Sequence, residues 1–188
     1  MTQTVVVIGS GGREHALAWA LARDPGVVVH VAPGNPGTAT VGTNHPIDAM
    51  DGVAVAELAV ALGATLVVVG PEAPLVAGVA DAVRARGIPV FGPSAAAARL
   101  EGSKAFAKEI MEAAGVPTAD ARLCLSMDEV LAALDVFGAP YVVKDDGLAA
   151  GKGVIVTDDR DSAIRHAASC HRVIIEEYLD GPEVSLFA

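Results

Sequence analysis

The chain has 188 residues and a formal charge of −10, and 52 % of its residues are hydrophobic although only 4 % are aromatic. The negative charge argues against nonspecific binding to nucleic acid, and no apolar run reaches the roughly 18 residues that a membrane-spanning helix needs. The apolar residues are mostly alanine and valine, a composition typical of helices that alternate with parallel strands.

The first predicted unit is a strand, a glycine-rich turn, a helix and a second strand. Residues 4–8 form a continuous β-branched run, which predicts a central parallel strand, and residues 9–12 form the turn. Apolar residues at helical spacing predict a helix over residues 13–23, and residues 27–31 form the second strand. Such a turn at the N-terminus of a helix suits an anion. Trp19 lies in this helix and is expected in the core.

This unit does not match the dinucleotide-binding fingerprint. The fingerprint needs glycine at positions 9, 11 and 14, but position 14 is Glu14. The acid that would bind a ribose at the end of the second strand is also absent, because residues 32–34 are Ala-Pro-Gly. The sequence therefore argues against a nicotinamide or flavin enzyme.

Several loops rich in glycine and proline follow predicted strands. In an open parallel sheet, ligands bind outside the carboxyl ends of the strands, so such loops in register predict a shared ligand crevice. Glu72 is the one acid in these loops. It either caps the next helix, which begins near Pro74, or contacts a hydroxyl or amine of a ligand, and the sequence leaves both interpretations open. The loops occupy residues 33–38, 70–75 and 92–94, after strands at 27–31, 65–69 and 88–91.

The second half of the chain predicts a helix followed by a small α+β unit. The helix covers residues 103–114 and carries Lys104 in its first turn, where a cation is unfavourable for the helix dipole unless an anion lies near. The α+β unit has predicted strands at residues 121–125, 140–144, 153–157 and 172–178, helices at 127–136 and 159–169, and another strand that begins at Glu183.

Residues 147–153 form a glycine-rich loop between two of these strands, with Lys144 and Lys152 at its ends. Glycines let backbone N–H groups turn toward an anion and lysines add positive charge, so the loop predicts a site for a nucleotide triphosphate. A P-loop is excluded because Gly153 stands where Ser or Thr is required and because the loop runs into a strand. An ordinary hairpin tip remains the alternative, although it has no need of flanking lysines.

Glu176 and Glu177 end the last of the buried strands predicted in this unit. Adjacent residues of a strand point to opposite faces, so at most one of these acids faces any given ligand. The alternative interpretation is that both are solubilising residues at the edge of a sheet.

Cys124 and Cys170 are the only cysteines. Two isolated cysteines in an α/β chain are expected to be reduced and buried, which indicates the cytoplasm. The amino terminus lacks a basic region and enters a strand at once, which is not the pattern of a signal peptide. The histidines show no metal-ligand spacing, so a zinc site is not predicted.

Taken in order, the motifs resemble those of the glycinamide ribonucleotide synthetases, also called phosphoribosylamine–glycine ligases, of the ATP-grasp superfamily. The block Gly-Ser-Gly-Gly-Arg-Glu-His-Ala-Leu at residues 9–17 carries most of the resemblance. The other blocks lie at residues 32–38, 69–75, 91–94, 102–104, 146–154 and 175–183.

The resemblance implies an α/β fold in three parts. A parallel α/β (pre-ATP-grasp) domain on the substrate side is expected over residues 1–100, and a connecting helix of the ATP-grasp core over residues 101–120. A small α+β lid subdomain, truncated at its C-terminal end, is expected over residues 121–188, so the ATP-grasp region is incomplete.

The implied activity joins 5-phosphoribosylamine to glycine, with ATP going to ADP and phosphate, in de novo purine biosynthesis. ATP would first phosphorylate the glycine carboxylate, and the amine would then attack the glycyl phosphate. Two alternatives stay open: another ATP-grasp carboxylate–amine ligase, and a noncatalytic nucleotide-binding module. Binding of both ATP and phosphoribosylamine analogues would distinguish the ligase.

The resemblance also implies binding residues, position by position. On the ATP side, lysines contact the phosphates, a lid loop covers them, a hinge holds adenine through backbone groups, and an acid takes the ribose hydroxyls. The lysines are Lys104 and Lys144, and the acid is Glu183. The lid-loop residues are Gly147, Ala150, Gly151, Lys152 and Gly153. The hinge residues are Glu176, Glu177, Tyr178 and Leu179. On the phosphoribosylamine side they are Gly11, Gly12, Arg13, Asn35 and Glu72.

Two departures from the family matter. Asp145 stands where the family usually has alanine, and the family chain is more than twice this length. No catalytic residue is assigned in this chain, and the carboxylates that bind Mg²⁺ or Mn²⁺ are expected beyond Ala188. The chain alone is therefore expected to be an inactive fragment. The implied enzyme is expected to be a monomer, with only small-molecule partners.

Overall fold

The structure, a computed structural model, describes residues 2–148 and 153–186. The chain forms two compact units, Met1–Arg99 and Leu100–Ala188. In the described part of the chain, no helix is both long enough and apolar enough to cross a membrane.

The first unit is built on a five-stranded sheet in which every pair of neighbouring strands is parallel. The strand order is β3-β2-β1-β4-β5, so the order reverses between β1 and β4. Loops on either side of such a reversal diverge and leave a crevice at the carboxyl ends of the strands. The strands are β1 (Gln3–Gly9), β2 (Val27–Pro33), β3 (Thr43–Asn44), β4 (Leu66–Val69) and β5 (Val90–Phe91).

Helices cover both faces of this sheet, because alternate residues of β1 enter different cores. Val6 and Ile8 pack among residues of α2 and α4, whereas Val5 and Val7 pack with Ala18 of α1. The helices are α1 (Gly12–Leu21), α2 (Gly52–Ala61), α3 (Glu72–Val76) and α4 (Val79–Arg84), followed by α5 (Ala95–Gly102).

Trp19 is not a core residue, which corrects the expectation from sequence. Its side chain is 51 % exposed, and the Arg23 guanidinium lies 5.0 Å from its ring centroid. The buried apolar position of α1 is instead occupied by the small Ala18, which lets the helix lie close to the valines of the sheet.

The second unit is built on a four-stranded antiparallel sheet in the order β6-β9-β7-β8. Ser103, Ser126 and Asp159 cap its three helices, each side chain accepting backbone N–H groups of the first turn. The strands are β6 (Ala121–Cys124), β7 (Tyr141–Asp145), β8 (Val154–Thr157) and β9 (Val173–Glu176), and the helices are α6 (Lys104–Ala113), α7 (Met127–Phe137) and α8 (Arg160–Ala167).

The two faces of this sheet differ in chemistry. Val143 and Ile175 belong to a core shared with α7 and α8. In the antiparallel register Val142 pairs with Glu176, and Lys144 pairs with Ile174. Because side chains alternate along a strand, Lys144 and Glu176 lie on the same face, opposite to that core.

The predicted strand beginning at Glu183 is wrong for the residues that the structure describes. Residues 182–186 have no regular secondary structure and are exposed. A strand needs a neighbouring edge to pair with, and among the described residues the sheet contains only β6 to β9.

Candidate functional site

The charged face of the second unit centres on a buried carboxylate between two lysines. Glu176 is 5 % exposed, and its Oε2 lies 2.6 Å from Lys144 Nζ. Its Oε1 lies 3.7 Å from Lys108 Nζ. A buried carboxylate is tolerated because cations surround it. The interpretation of Glu176 as a solubilising edge residue is therefore wrong.

Sequence reasoning missed Lys108. Its ammonium donates to Thr118 Oγ1 at 2.8 Å and to the Ala119 carbonyl at 2.6 Å. Because the same ammonium pairs with Glu176, it links the segment that precedes β6 to the end of β9. A signal was available, because Lys104 and Lys108 are four residues apart on one helix face.

Lys104 is held by backbone carbonyls. Its Nζ donates to the carbonyls of Asp145 at 2.9 Å and Gly147 at 2.8 Å. These oxygens supply the negative charge that a lysine in a first helical turn needs, so its position does not by itself require a bound anion. An ammonium has three donors, which leaves one for a ligand among the contacts of the described residues.

The adjacent aspartates after β7 have different environments. The Asp146 side chain is 2 % exposed, accepts from Ser103 Oγ and from the Ala105 N–H, and forms an ion pair with Arg172 at 3.3 Å. Asp145 lies on the face opposite Lys144 and accepts the His171 N–H at 3.1 Å. Both acids therefore anchor the segments that precede β9 and α6.

The glycine-rich loop is described at its two ends only. The carbonyl of Gly153 accepts the Asp145 N–H at 2.7 Å, and Gly147 adopts a φ of 140°, which favours glycine. Ala150, Gly151 and Lys152 lie outside the described residues.

The predicted adenine hinge follows β9. The Glu177 N–H donates to the Asp120 carbonyl at 2.9 Å, and the Glu177 carboxylate accepts the Asp120 N–H at 3.3 Å. Tyr178 and Leu179 are exposed, by 43 % and 62 %. Glu183 is exposed as well.

In the first unit, the loops after β1 and β4 meet through an ion pair. Arg13 Nη1 donates to Glu72 Oε1 at 2.9 Å, and Nη2 donates to Oε2 at 3.4 Å. The hydrogen bond from Arg13 lowers the pKa of Glu72, and the same bond raises the pKa of Arg13. Glu72 is the first residue of α3, whose N-cap is Pro71, so the helix starts earlier than the sequence predicted.

Glu14 is a second residue that sequence reasoning missed as part of the site. It is 3 % exposed, and its Oε2 accepts the Gly11 N–H at 2.7 Å. This N–H of the glycine turn is therefore bonded within the chain, to Glu14.

Asn35 ties the loop after β2 to the same turn. Its side-chain amide donates to the carbonyls of Ser10 at 2.9 Å and Gly11 at 3.3 Å, and its Oδ1 accepts the Thr38 N–H at 3.0 Å. These contacts give Asn35 a structural role. Gly12, the first residue of α1, is exposed and has open space where a Cβ would be.

The residues that the structure describes do not fit a magnesium or manganese site. Within residues 2–148 and 153–186, no three His, Cys, Asp or Glu side chains are grouped so that they could hold a metal ion. The acids near the lysines are used by cations or backbone N–H groups.

The sequence and fold were compared with known proteins. The family model described as "Phosphoribosylglycinamide synthetase, N domain" matches residues 3–101, and that described as "Phosphoribosylglycinamide synthetase, ATP-grasp (A) domain" matches residues 102–188. The chain belongs to the phosphoribosylglycinamide synthetase family. The family resemblance seen in the motifs is thus confirmed.

Individual relatives agree with this family. A phosphoribosylamine–glycine ligase of Streptomyces coelicolor is 68 % identical over 185 residues, which are 98 % of this chain and 44 % of the relative. The crystal structure of the Thermotoga maritima phosphoribosylamine–glycine ligase has a TM-score of 0.75 at 35 % identity, over 95 % of this chain and 44 % of that chain. The chain therefore spans less than half the length of these relatives.

A more distant structure shares the fold alone. It is the biotin carboxylase domain dimer of the Hydrogenobacter thermophilus 2-oxoglutarate carboxylase, in complex with MgADP, ADP and bicarbonate. Its TM-score is 0.77 at 18 % identity, over 96 % of this chain and 45 % of that chain. The predicted fold class, a parallel α/β domain followed by ATP-grasp structure, is confirmed.

Proposed function

We propose that the protein containing this chain is an ATP-dependent ligase that joins 5-phosphoribosylamine and glycine, giving glycinamide ribonucleotide, ADP and phosphate. The observation that carries the proposal is family membership over both units, since the two family models together cover residues 3–188. The two units would contribute different parts of the substrate machinery.

The second unit would bind the nucleotide. Lys108 and Lys144 both pair with the carboxylate of Glu176, and the Lys104 ammonium is held by backbone carbonyls, so these three lysines bring more positive charge than Glu176 neutralises in an acidic chain. Lys104 and Lys144 would donate to ATP phosphates and stabilise the charge that moves during transfer to a carboxylate. The solved structure with MgADP has the same fold and is consistent with this assignment.

The hinge would hold adenine beside the end of β9. The chain from Glu176 to Leu179 leaves the sheet there, and Glu177 is bonded to Asp120 on the neighbouring segment. Backbone groups beyond that bond would contact the base, and Glu183 would take the ribose hydroxyls. Gly147, Ala150, Gly151, Lys152 and Gly153 would contact the phosphates as the lid loop.

The first unit would bind the phosphoribosylamine. Gly11 and Asn35 lie in loops, and Gly12, Arg13 and Glu72 in the first turns of helices, that follow the carboxyl ends of β1, β2 and β4. This is where ligands bind in open parallel sheets. Glu72 would accept from the sugar hydroxyls or the amine, because a half-exposed carboxylate is an acceptor for donors of that kind.

The proposed chemistry has two steps. Phosphoryl transfer from ATP would activate the glycine carboxylate as glycyl phosphate, and the amine of phosphoribosylamine would then displace phosphate and form the amide. Positioning and charge neutralisation would do most of the work. Because the described residues do not fit a metal site, we propose that the chain alone is inactive.

Two further expectations belong to the same proposal. A cytoplasmic location agrees with Cys124 and Cys170, which are both free thiols, one buried and one partly buried. Burial raises the pKa of both thiols, so neither is activated as a nucleophile. The monomeric state stays a prediction.

The test is ADP release with glycine, phosphoribosylamine and Mg·ATP. It would be run on this chain and on a full-length ligase, made by joining the chain to the rest of the Streptomyces coelicolor relative. We expect turnover that depends on both other substrates in the full-length ligase and none in the chain. A full-length protein that binds ATP but not glycinamide ribonucleotide would instead favour a nucleotide-binding module.

A further inference from the structure

Glu14 is a buried acid at the point where the strand order of the first unit reverses. Its side chain is 4 % exposed, and its Oε1 lies 3.3 Å from Arg13 Nε. Its Oε2 accepts the Gly11 N–H at 2.7 Å. The family resemblance assigns this residue no role, and the proposed chemistry does not use it.

Two glycines make room for this carboxylate. A Cβ at Gly9 would lie 2.6 Å from Glu14 Cγ, and one at Gly70 would overlap the Glu14 carboxylate. Gly9 ends β1 and Gly70 follows β4. Glu14 therefore fills the space between the ends of the two central strands, where a dinucleotide-binding fold needs its third glycine.

Glu14 also fixes the orientation of Arg13. A guanidinium is planar and carries its five donors in a rigid fork, so holding Nε leaves Nη1 and Nη2 pointing in a defined direction. Both of these nitrogens donate to Glu72. The contacts run from Gly11 through Glu14 and Arg13 to Glu72, and they join the loops after β1 and β4.

The charges of these linked residues determine which ligand group can lie beside them. Two carboxylates accompany one guanidinium, and the Gly11 N–H is already bonded to Glu14. A phosphate at this turn would meet negative charge and lose a donor that glycine turns normally offer it. Hydroxyl and amine groups would instead meet the half-exposed Glu72 carboxylate.

We propose that Glu14 is a positioning residue that orients Arg13, and through it Glu72, toward hydroxyl or amine donors of the sugar-amine substrate, and that it closes the glycine turn to phosphate. The inference rests on the proposed function. It extends that function by giving the substrate a direction, with its phosphate away from the turn after β1.

The kinetic test compares Glu14→Gln with Glu72→Gln in the full-length ligase. Glutamine keeps an acceptor for Gly11 but loses the charge that holds Arg13. We expect a rise of tenfold or more in the KM for phosphoribosylamine, with the ATP KM changed less than twofold. The double variant should be no worse than Glu72→Gln alone, because both changes break the same chain of contacts. Independent additive effects, or equal rises in both KM values, would overturn the inference.

A second variant guards against a folding defect. Arg13→Lys leaves the bond between Glu14 and Gly11 but removes the fork, so it should reproduce the KM effect at an unchanged melting temperature. An Arg13→Lys variant with the wild-type KM for phosphoribosylamine would contradict the proposed role.

A spectroscopic readout on the chain itself separates this inference from the proposed function. The Arg13 Nε–H resonance should be protected from exchange in the wild type and in Glu72→Gln, and lose protection in Glu14→Gln. If the wild-type full-length ligase shows no turnover that depends on phosphoribosylamine, the proposed function fails while this test still decides the role of Glu14. Unchanged protection in Glu14→Gln would refute it.

Discussion

The two units hold charge in opposite ways. In the first unit, Glu14 and Glu72 accompany one guanidinium, that of Arg13. In the second unit, Lys108 and Lys144 share the carboxylate of Glu176, and Lys104 adds a third ammonium, which donates to the carbonyls of Asp145 and Gly147. A polyphosphate suits the second arrangement, and hydroxyl or amine donors suit the first.

The sheet type explains where each site lies. Parallel strands end at a common edge, so the first unit presents loops there and its charges come from residues that follow strands. In the antiparallel sheet of the second unit, one face contributes Val143 and Ile175 to a core shared with α7 and α8, and Lys144 and Glu176 project from the other face. The site of the first unit is thus formed by turns that follow strands, whereas the site of the second unit depends on the register in which β7 pairs with β9.

The largest effect is expected for Asp146→Ala. This buried carboxylate accepts from Ser103 and Ala105 and pairs with Arg172, and its removal takes away the acceptor of the Ala105 N–H and the partner of the Arg172 cation. We expect a loss of about 3 kcal/mol in the free energy of unfolding of the second unit, measured by urea titration. Signals from the first unit should unfold as in the wild type. A coupled loss in both units would show that they do not behave separately.

The charge difference itself is tested by Lys144→Ala in the full-length ligase. We expect ATP binding to weaken by about 1.5–3 kcal/mol, the scale of a charge-assisted hydrogen bond, measured by calorimetry. Arg160→Ala is the matched control, because Arg160 forms a partly exposed ion pair with Asp135 in the same unit. Arg13→Ala should also leave ATP affinity unchanged. Equal losses of ATP affinity for Lys144→Ala and Arg13→Ala would contradict the proposed difference between the two units.

The close packing of Gly70 against Glu14 in the first unit is tested by Gly70→Ala. The added methyl group would overlap the Glu14 carboxylate, so we expect a loss of about 1–3 kcal/mol in the stability of the first unit. Gly12→Ala is the control, because nothing lies within 4 Å of the added Cβ. Thermal unfolding followed at Trp19 reports on this unit. Similar melting temperatures for both variants would mean that Glu14 can move aside.

A smaller effect is expected for Asp145→Ala. Its carboxylate accepts the N–H groups of His171 and Arg172, on the face opposite Lys144, so we expect a stability loss of about 1 kcal/mol. The ATP KM of the full-length ligase should change little. A large drop in that KM would show that Asp145 repels the triphosphate and that its side chain points toward the nucleotide.

The smallest effect concerns the pH dependence of the Arg13–Glu72 pair. Because the pKa of Glu72 is lowered in the folded state, the pair stabilises the fold above the unfolded pKa of about 4.3 and loses this as pH falls through the folded pKa below it. Glu72 is 46 % exposed, so the contribution is at most about 1 kcal/mol. Glu72→Gln should be less stable than the wild type at pH 7 and equally stable near pH 2. A difference that persists at low pH would assign the effect to packing.

Most elements could be predicted from local sequence. The β-branched run over residues 4–8 lies in β1, and Ser103 and Ser126 begin helices because their side chains accept first-turn N–H groups. The prediction that Trp19 lies in the core was wrong because helical periodicity does not show whether a residue on one side of a helix lies over the sheet or beyond its edge.

The pattern of residues by itself determined the element types, the exclusion of a dinucleotide fingerprint at Glu14 and the motifs that carry the family resemblance. Only the tertiary structure decided the contacts between distant segments. Pairing of β7 with β9 brings Lys144 to Glu176, and the reversal of strand order brings Gly70 and Glu72 to the turn that holds Glu14. Local propensities act over a few residues, whereas these contacts depend on which strands become neighbours and in which register.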